Sequence, residues 1–200
     1  MKIALATTNR GKIEEIRAVL ALPEVTWVSV DDGDEWPTVE ETGSTFKENA
    51  CLKAAAVARH LDLPALADDS GLEVEALDGR PGINTARFAG SGATDSDNMT
   101  KLTSEVRARG LAGSKARFVC AIVLAWPDGK MVDAVGTCDG EVVLTPRGES
   151  GFGYDPIFIP ESFDRTMAEL SPQEKNRLSH RGRALRELRG RLEREGWIDD

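Results

Sequence analysis

Two adjacent carboxylate pairs, Glu40-Glu41 and Asp68-Asp69, are the residues of this 200-residue chain whose types and spacing most directly offer chemistry. Carboxylates side by side repel one another unless a cation lies between them, so a hard divalent metal is a natural occupant. The only histidines are His60 and His180, and Cys51, Cys120 and Cys138 form no Cys-x-x-Cys pair, so softer ligands are not clustered. Magnesium, with manganese as a substitute, suits such a donor set better than zinc. Asp69 follows the apolar run Ala65-Leu66-Ala67 and precedes Ser70-Gly71, a turn able to hold a carboxylate rigidly. There it could ligate the metal or take a proton from an attacking water. Acidic doublets in loops are also commonly no more than solvated surface.

Two further segments carry polar groups in suggestive order. Near the amino end, Thr7-Thr8-Asn9-Arg10-Gly11-Lys12 offers backbone amides, hydroxyls, an amide side chain and an ammonium to a phosphate chain. The same residues could equally be a helix cap, by Thr8 or Asn9, with Lys12 facing solvent. The segment lacks the Gly-x-x-x-x-Gly-Lys-Ser/Thr pattern, which disfavours P-loop machinery. Later, Gly151-Phe152-Gly153-Tyr154-Asp155-Pro156 puts two aromatics and an acid on a glycine-hinged loop. It reads either as a structural turn that packs Phe152 inward or as a shelf on which a purine stacks while a carboxylate or amide reads its edge. Lys175, His180 and Arg181 could add cations and donors for a 6-oxo purine or for phosphates. His60, among apolar helix residues, reads as structural or surface.

These groups need elements to hold them. A short strand at residues 2–7, the polar loop, and a helix with Ile13, Ile16 and Leu20 at helical spacing open the chain. A second strand at residues 25–30 leads through an acidic loop at 31–43 to a helix announced by Thr45-Phe46-Lys47-Glu48, with Phe46, Ala50, Ala54, Val57 and Leu61 on one face. A third strand at 65–67 runs straight into the polar residues Asp68-Asp69-Ser70-Gly71. A helix is expected at 95–109, capped by Thr94 or Asp95. Alternation at 116–126, a Pro127-Asp128-Gly129-Lys130 turn and a strand at 131–137 predict a hairpin. Another strand at 141–145 precedes the Gly-rich segment, and Ser171-Pro172-Gln173-Glu174 opens one closing helix. The expected architecture is a single α/β domain over residues 1–200, a long twisted mixed sheet flanked by helices.

Bulk properties narrow the class. The chain is 40% hydrophobic and 30% charged, a makeup expected of a soluble globular protein. The formal net charge of −9 argues against coating a nucleic-acid backbone. The arginines Arg177, Arg181, Arg183, Arg186, Arg189, Arg191 and Arg194 read mainly as a helix face balanced by Glu187, Glu193 and Glu195. No apolar stretch approaches the ~20 residues that cross a bilayer. The three cysteines are odd in number and lie in apolar contexts, as expected of buried thiols in a cytoplasmic protein.

Together the motifs resemble the inosine triphosphate pyrophosphatase family, also called XTP/dITP diphosphatases, over almost the whole chain. The matching pieces are Ala6 to Lys12, Glu40-Glu41-Thr42-Gly43-Ser44-Thr45-Phe46 with Glu48-Asn49-Ala50, Ala67-Asp68-Asp69-Ser70-Gly71-Leu72, Pro81-Gly82 with Ala86-Arg87, Gly151 to Phe158, and Glu174-Lys175 with Ser179-His180-Arg181-Gly182. One departure is Asn84, where the pattern expects an aromatic. The resemblance implies a homodimer of two-lobed subunits with a central nucleotide cleft, acting on a purine nucleoside triphosphate. It implies that Thr7, Thr8, Asn9, Arg10, Gly11 and Lys12 hold phosphates, and that Glu40 or Glu41 with Asp69 holds magnesium, one or more ions per subunit. Asp69 is the implied base and Ser70 touches the nucleotide. Phe152, Gly153, Tyr154 and Asp155, with Lys175, His180 and Arg181, embrace the base and remaining phosphates. The implied reaction cleaves dITP, ITP or XTP to monophosphate and pyrophosphate. Competing readings are a pyrophosphatase for modified pyrimidine or ordinary triphosphates and a nucleotide sensor without turnover.

Overall fold

A computed structural model describes residues 1–32 and 36–198; residues 33–35 of the acidic loop lie outside it. The chain begins as strand β1 (Lys2–Leu5), helix α1 (Arg10–Leu20) and strand β2 (Thr26–Val28). Then come helix α2 (Phe46–Leu61), strand β3 (Ala65–Val74), helix α3 (Asp95–Ala108) and the strands β4 (Gly113–Ala125) and β5 (Met131–Val143). It ends with strand β6 (Phe158–Pro160) and helices α4 (Pro172–Leu178) and α5 (His180–Arg194). Hydrogen bonding orders the strands β2-β1-β3-β4-β5-β6. β1 is parallel to both β2 and β3, while β5 and β6 are antiparallel, so the sheet is mixed as expected. No described helix is long and apolar enough to cross a membrane.

Helix starts follow their sequence signals because a short polar side chain there accepts an otherwise unsatisfied amide. Asn9 caps α1, Thr45 caps α2, and Thr94 and Ser171 form full capping boxes on α3 and α4. Four expectations need correction. β2 is shorter than expected, ending at Val28 before a one-turn helix at Val30–Asp32. Ser70-Gly71 is no turn: β3 runs straight through it, and Leu72 and Val74 continue the buried pattern. The two strands expected at 131–137 and 141–145 are one, β5, continuous through Gly140. A Cβ there would meet the Ile159 carbonyl of β6, so only glycine lets the two strands close up. The single closing helix is two, because Ser179 adopts extended backbone (φ −64°, ψ 155°) between α4 and α5.

The fold contains two compact units, Met1–Asp69 with Cys120–Gly136 and Arg181–Asp200, and Ser70–Val119 with Thr137–His180. The first has a core built on Leu5, Ile16, Leu66, Ile122 and Leu188. The second has its own, built on Leu72, Leu102, Phe118, Ile157 and Phe158. The chain passes from one to the other inside β3, β4, β5 and α5 and nowhere else.

Candidate active site

Because successive strand residues face opposite ways, the carboxylates of Asp68 and Asp69 leave β3 on opposite faces and meet different partners. The Asp68 side chain is fully buried. It forms an ion pair with the Lys12 ammonium, accepts a 2.9 Å hydrogen bond from Arg181 Nε and accepts another, also 2.9 Å, from the Cys120 thiol. Arg181 Nη1 reaches on to Glu15 Oε2 at 2.5 Å. Burial works to raise the Asp68 pKa, but the charges of Arg181 and Lys12 and the Cys120 hydrogen bond outweigh it and hold the carboxyl well below its usual range. Burial, and then the Asp68 charge, push the Cys120 thiol well up, so sulfur is the proton donor of that contact.

On the other face, Asp69 Oδ1 accepts a 2.7 Å hydrogen bond from Lys53 Nζ, which also donates to Glu41 Oε1 at 2.9 Å. Asn49 Nδ2 approaches Asp69 Oδ2 at 3.4 Å, while its Oδ1 accepts from the Gly43 amide at 2.8 Å. Burial raises the Asp69 carboxyl above its ordinary range; Lys53 pulls it down, and Glu41 adds to the rise. The Asp69 and Glu41 charges in turn raise the Lys53 ammonium against the effect of its burial. Of the two candidate glutamates, Glu41 is the one brought to this pair, and Glu40 is exposed. Among the described residues no three carboxylate, imidazole or thiol groups gather as a ready metal site. A pair of carboxylates still matches magnesium, which takes few protein oxygens and keeps several waters.

The amino-terminal loop settles between its two readings in a mixed way. Asn9 Oδ1 does cap α1, accepting from the Lys12 amide at 3.1 Å, and the Asn9 amide donates to Thr7 Oγ1 at 3.2 Å. The Lys12 side chain is 16% exposed, held by Asp68 rather than by solvent. Thr8 and Arg10 are exposed, and Gly11 is partly covered.

In the second unit the loop 151–155 is organised around the buried Asp155. Its Oδ2 accepts from the Phe152 amide at 2.9 Å and from Lys175 Nζ at 2.5 Å, and the Lys175 ammonium lies 4.6 Å from the centroid of the Phe152 ring. Gly151 has φ 79°, and a Cβ on it would strike the Asp155 carboxylate, so glycine is needed there twice over. The Gly153 amide donates to Asp95 Oδ2 at 2.7 Å, and the Tyr154 hydroxyl donates to the Thr85 carbonyl at 2.9 Å. The buried His180 ring stacks on Phe118 with centroids 4.6 Å apart, and Ser70 is half-buried.

Lys53, Asn49, Cys120, Glu15, Asp95 and Thr85 had no place in the sequence-derived site. For two of them a signal existed: Phe46, Asn49, Ala50, Lys53, Ala54 and Val57 share the i, i+3, i+4 stripe of α2, so an amide and an ammonium stand at core positions. Polar side chains there need buried partners.

Comparison with known proteins finds similar chains of nearly the same length and fold. The chain is 48% identical over 187 residues to a dITP/XTP pyrophosphatase of Geobacillus kaustophilus, covering 94% of this chain and 92% of that one. It is 46% identical over 195 residues to a dITP/XTP pyrophosphatase of Halalkalibacterium halodurans, covering 98% and 97%. The solved structure of a HAM1 protein from Coxiella burnetii superposes with a TM-score of 0.87 at 42% identity, covering 97% of this chain and 99% of that one. The Staphylococcus aureus Ham1 protein gives 0.85 at 42%, covering 98% and 100%. With a family match over residues 3–191 as well, the chain belongs to the Ham1 family.

Proposed function

We propose that this protein hydrolyses the triphosphates of non-standard purine nucleosides, dITP, ITP and XTP, to the monophosphate and pyrophosphate. The observation that carries the reading is the buried Asp69 carboxylate, raised in pKa and joined through Lys53 to a second carboxylate, Glu41. The names of the relatives supply the substrate class.

In this reading Asp69 takes a proton from a water whose oxygen attacks the α-phosphorus. The bond from the α-phosphorus to the bridging oxygen breaks, and pyrophosphate leaves with the electron pair. Magnesium held by Glu41 and Asp69 would supply Lewis-acid stabilisation of the phosphate oxygens. Lys12 and Arg181, locked in place by Asp68, present fixed positive charge to the phosphates at no cost of reorganisation. Thr7, Thr8, Asn9, Arg10 and Gly11 line the phosphate side. Phe152, Gly153 and Tyr154 receive the base, with Asp155 and Lys175 setting the loop and Ser70 and His180 completing the contacts. Selectivity against ATP and GTP follows if an exocyclic amine leaves a buried polar group unpaired. The working form is proposed to be a cytoplasmic homodimer.

The test is a substrate panel of dITP, XTP, dATP and dGTP with magnesium, quantifying pyrophosphate and single phosphate separately. Pyrophosphate formed selectively from dITP and XTP is the expected result. Equal use of all four, single phosphate, or no turnover would refute the reading.

A further inference from the structure

We infer that Lys53 holds the cation position between Glu41 and Asp69 in the nucleotide-free protein, so that the divalent metal enters with the nucleotide rather than before it. The inference rests on the reading of Glu41 and Asp69 as the metal's carboxylates. Lys53 Nζ stands 2.9 Å from Glu41 Oε1 and 2.7 Å from Asp69 Oδ1, and the three side chains are 16%, 27% and 11% exposed. Two acids sharing a site of that burial need positive charge between them. Lys53 provides it.

An ammonium has three donors and no acceptor, so it cannot join a metal's ligand set. Nor can it sit at hydrogen-bond distance from the same two oxygens as a divalent ion without strong repulsion across a short gap. With Lys53 in place the two carboxylates carry one net negative charge; adding a divalent ion to that set leaves a net positive charge in a largely buried site. A triphosphate reverses the balance. Its oxygens give the ammonium a second set of acceptors, and the flexible four-carbon stem of lysine can move the head group while α2 stays still. Lys53 therefore passes from the acids to the phosphates as the metal takes its place, and each ligand tightens the other by the same factor.

The test measures Mn2+ binding to the full-length protein by electron paramagnetic resonance of the free ion, without nucleotide and then with a non-hydrolysable deoxyinosine triphosphate analogue. Without nucleotide, Lys53→Gln is expected to bind Mn2+ about tenfold more tightly than the wild type, within the usual range of site-to-site coupling. Lys53→Arg, which keeps the charge, should bind as weakly as the wild type, and Glu41→Gln more weakly still. The analogue should tighten Mn2+ binding to the wild type much more than to Lys53→Gln. Lys53→Met keeps the apolar stem and gives the same comparison should the Gln variant not fold. Equal or weaker Mn2+ binding by both neutral variants, with Glu41→Gln still impaired, overturns the inference and leaves the metal site standing. Mn2+ binding indifferent to Glu41→Gln overturns both.

Discussion

At the scale of single residues, the two neighbouring aspartates of β3 have opposite electrostatics and so opposite uses. Asp69, buried and paired with Lys53 rather than Arg181, is the proposed base. Asp69→Asn keeps the shape and removes the proton acceptor, so turnover of dITP should fall about 10²–10⁴-fold. Nucleotide affinity, read by equilibrium binding without divalent metal, should stay within a few fold. Asp68 is buried between two cations, and its removal takes a buried carboxylate away from both Lys12 and Arg181, the latter keeping Glu15. Asp68→Asn should therefore cost about 3–5 kcal/mol at neutral pH, measured by urea unfolding. The folded pKa of Asp68 lies below the unfolded value, so the unfolded chain holds more protons in the window between them. Stability from this group is present above about pH 4 and is lost as pH falls through the folded pKa, so the deficit of the variant should shrink there. Asp69, Lys12 and Arg181 were legible as candidates because each stands in a run of unusual residue types. Their partnerships were not: Arg181 lies 113 residues from Asp68, and Cys120 lies 52 from it. Lys53 escaped notice because a lysine in a helix ordinarily reads as solvated, and only its place on the buried stripe of α2 betrays it.

At the scale of elements, caps and hairpin signals were legible because their physics is local. Asn9, Thr45, Thr94 and Ser171 satisfy amides within their own first turn. Elements decided by distant partners were not. Asp-Asp-Ser-Gly has the composition of a turn, and β3 continues through it because Lys12, Arg181 and Lys53 neutralise its acids. Gly140 looks like a strand breaker until β6 lies against it. The loop 151–155 mixes the two cases. Its glycines announce a hinge, while the clamp of Asp155 on Lys175 and the Phe152 amide is tertiary. Gly151→Ala places a side chain at positive φ and into the Asp155 carboxylate. We expect kcat/KM for dITP to drop about 10- to 100-fold through misplacement of the loop, with a loss of about 1–3 kcal/mol in urea unfolding from the strained backbone. Wild-type kinetics in that variant would detach the loop from the substrate.

At the scale of the whole molecule, the two units are not successive pieces of chain joined by linkers. Every passage from one to the other runs inside a strand or helix, in β3, β4, β5 or α5. Melting one unit would break elements that continue into the other, so we expect a single cooperative transition, as proposed for one domain. The four tryptophans, Trp27, Trp36, Trp126 and Trp197, all belong to the first unit. Their fluorescence should therefore lose its native signal at the same urea concentration as far-ultraviolet circular dichroism, which sees both. Two separate transitions would show units that unfold on their own. The mixed α/β class and the family were legible from strand and helix periodicity and from motifs in order, whereas division into two cores depends on which distant strands pair. The central claim is attack by water at the α-phosphorus, and turnover of dITP in 18O-labelled water tests it most directly. The label should appear in the monophosphate and be absent from pyrophosphate; label in pyrophosphate, or in single phosphate released from the chain's end, would contradict the account.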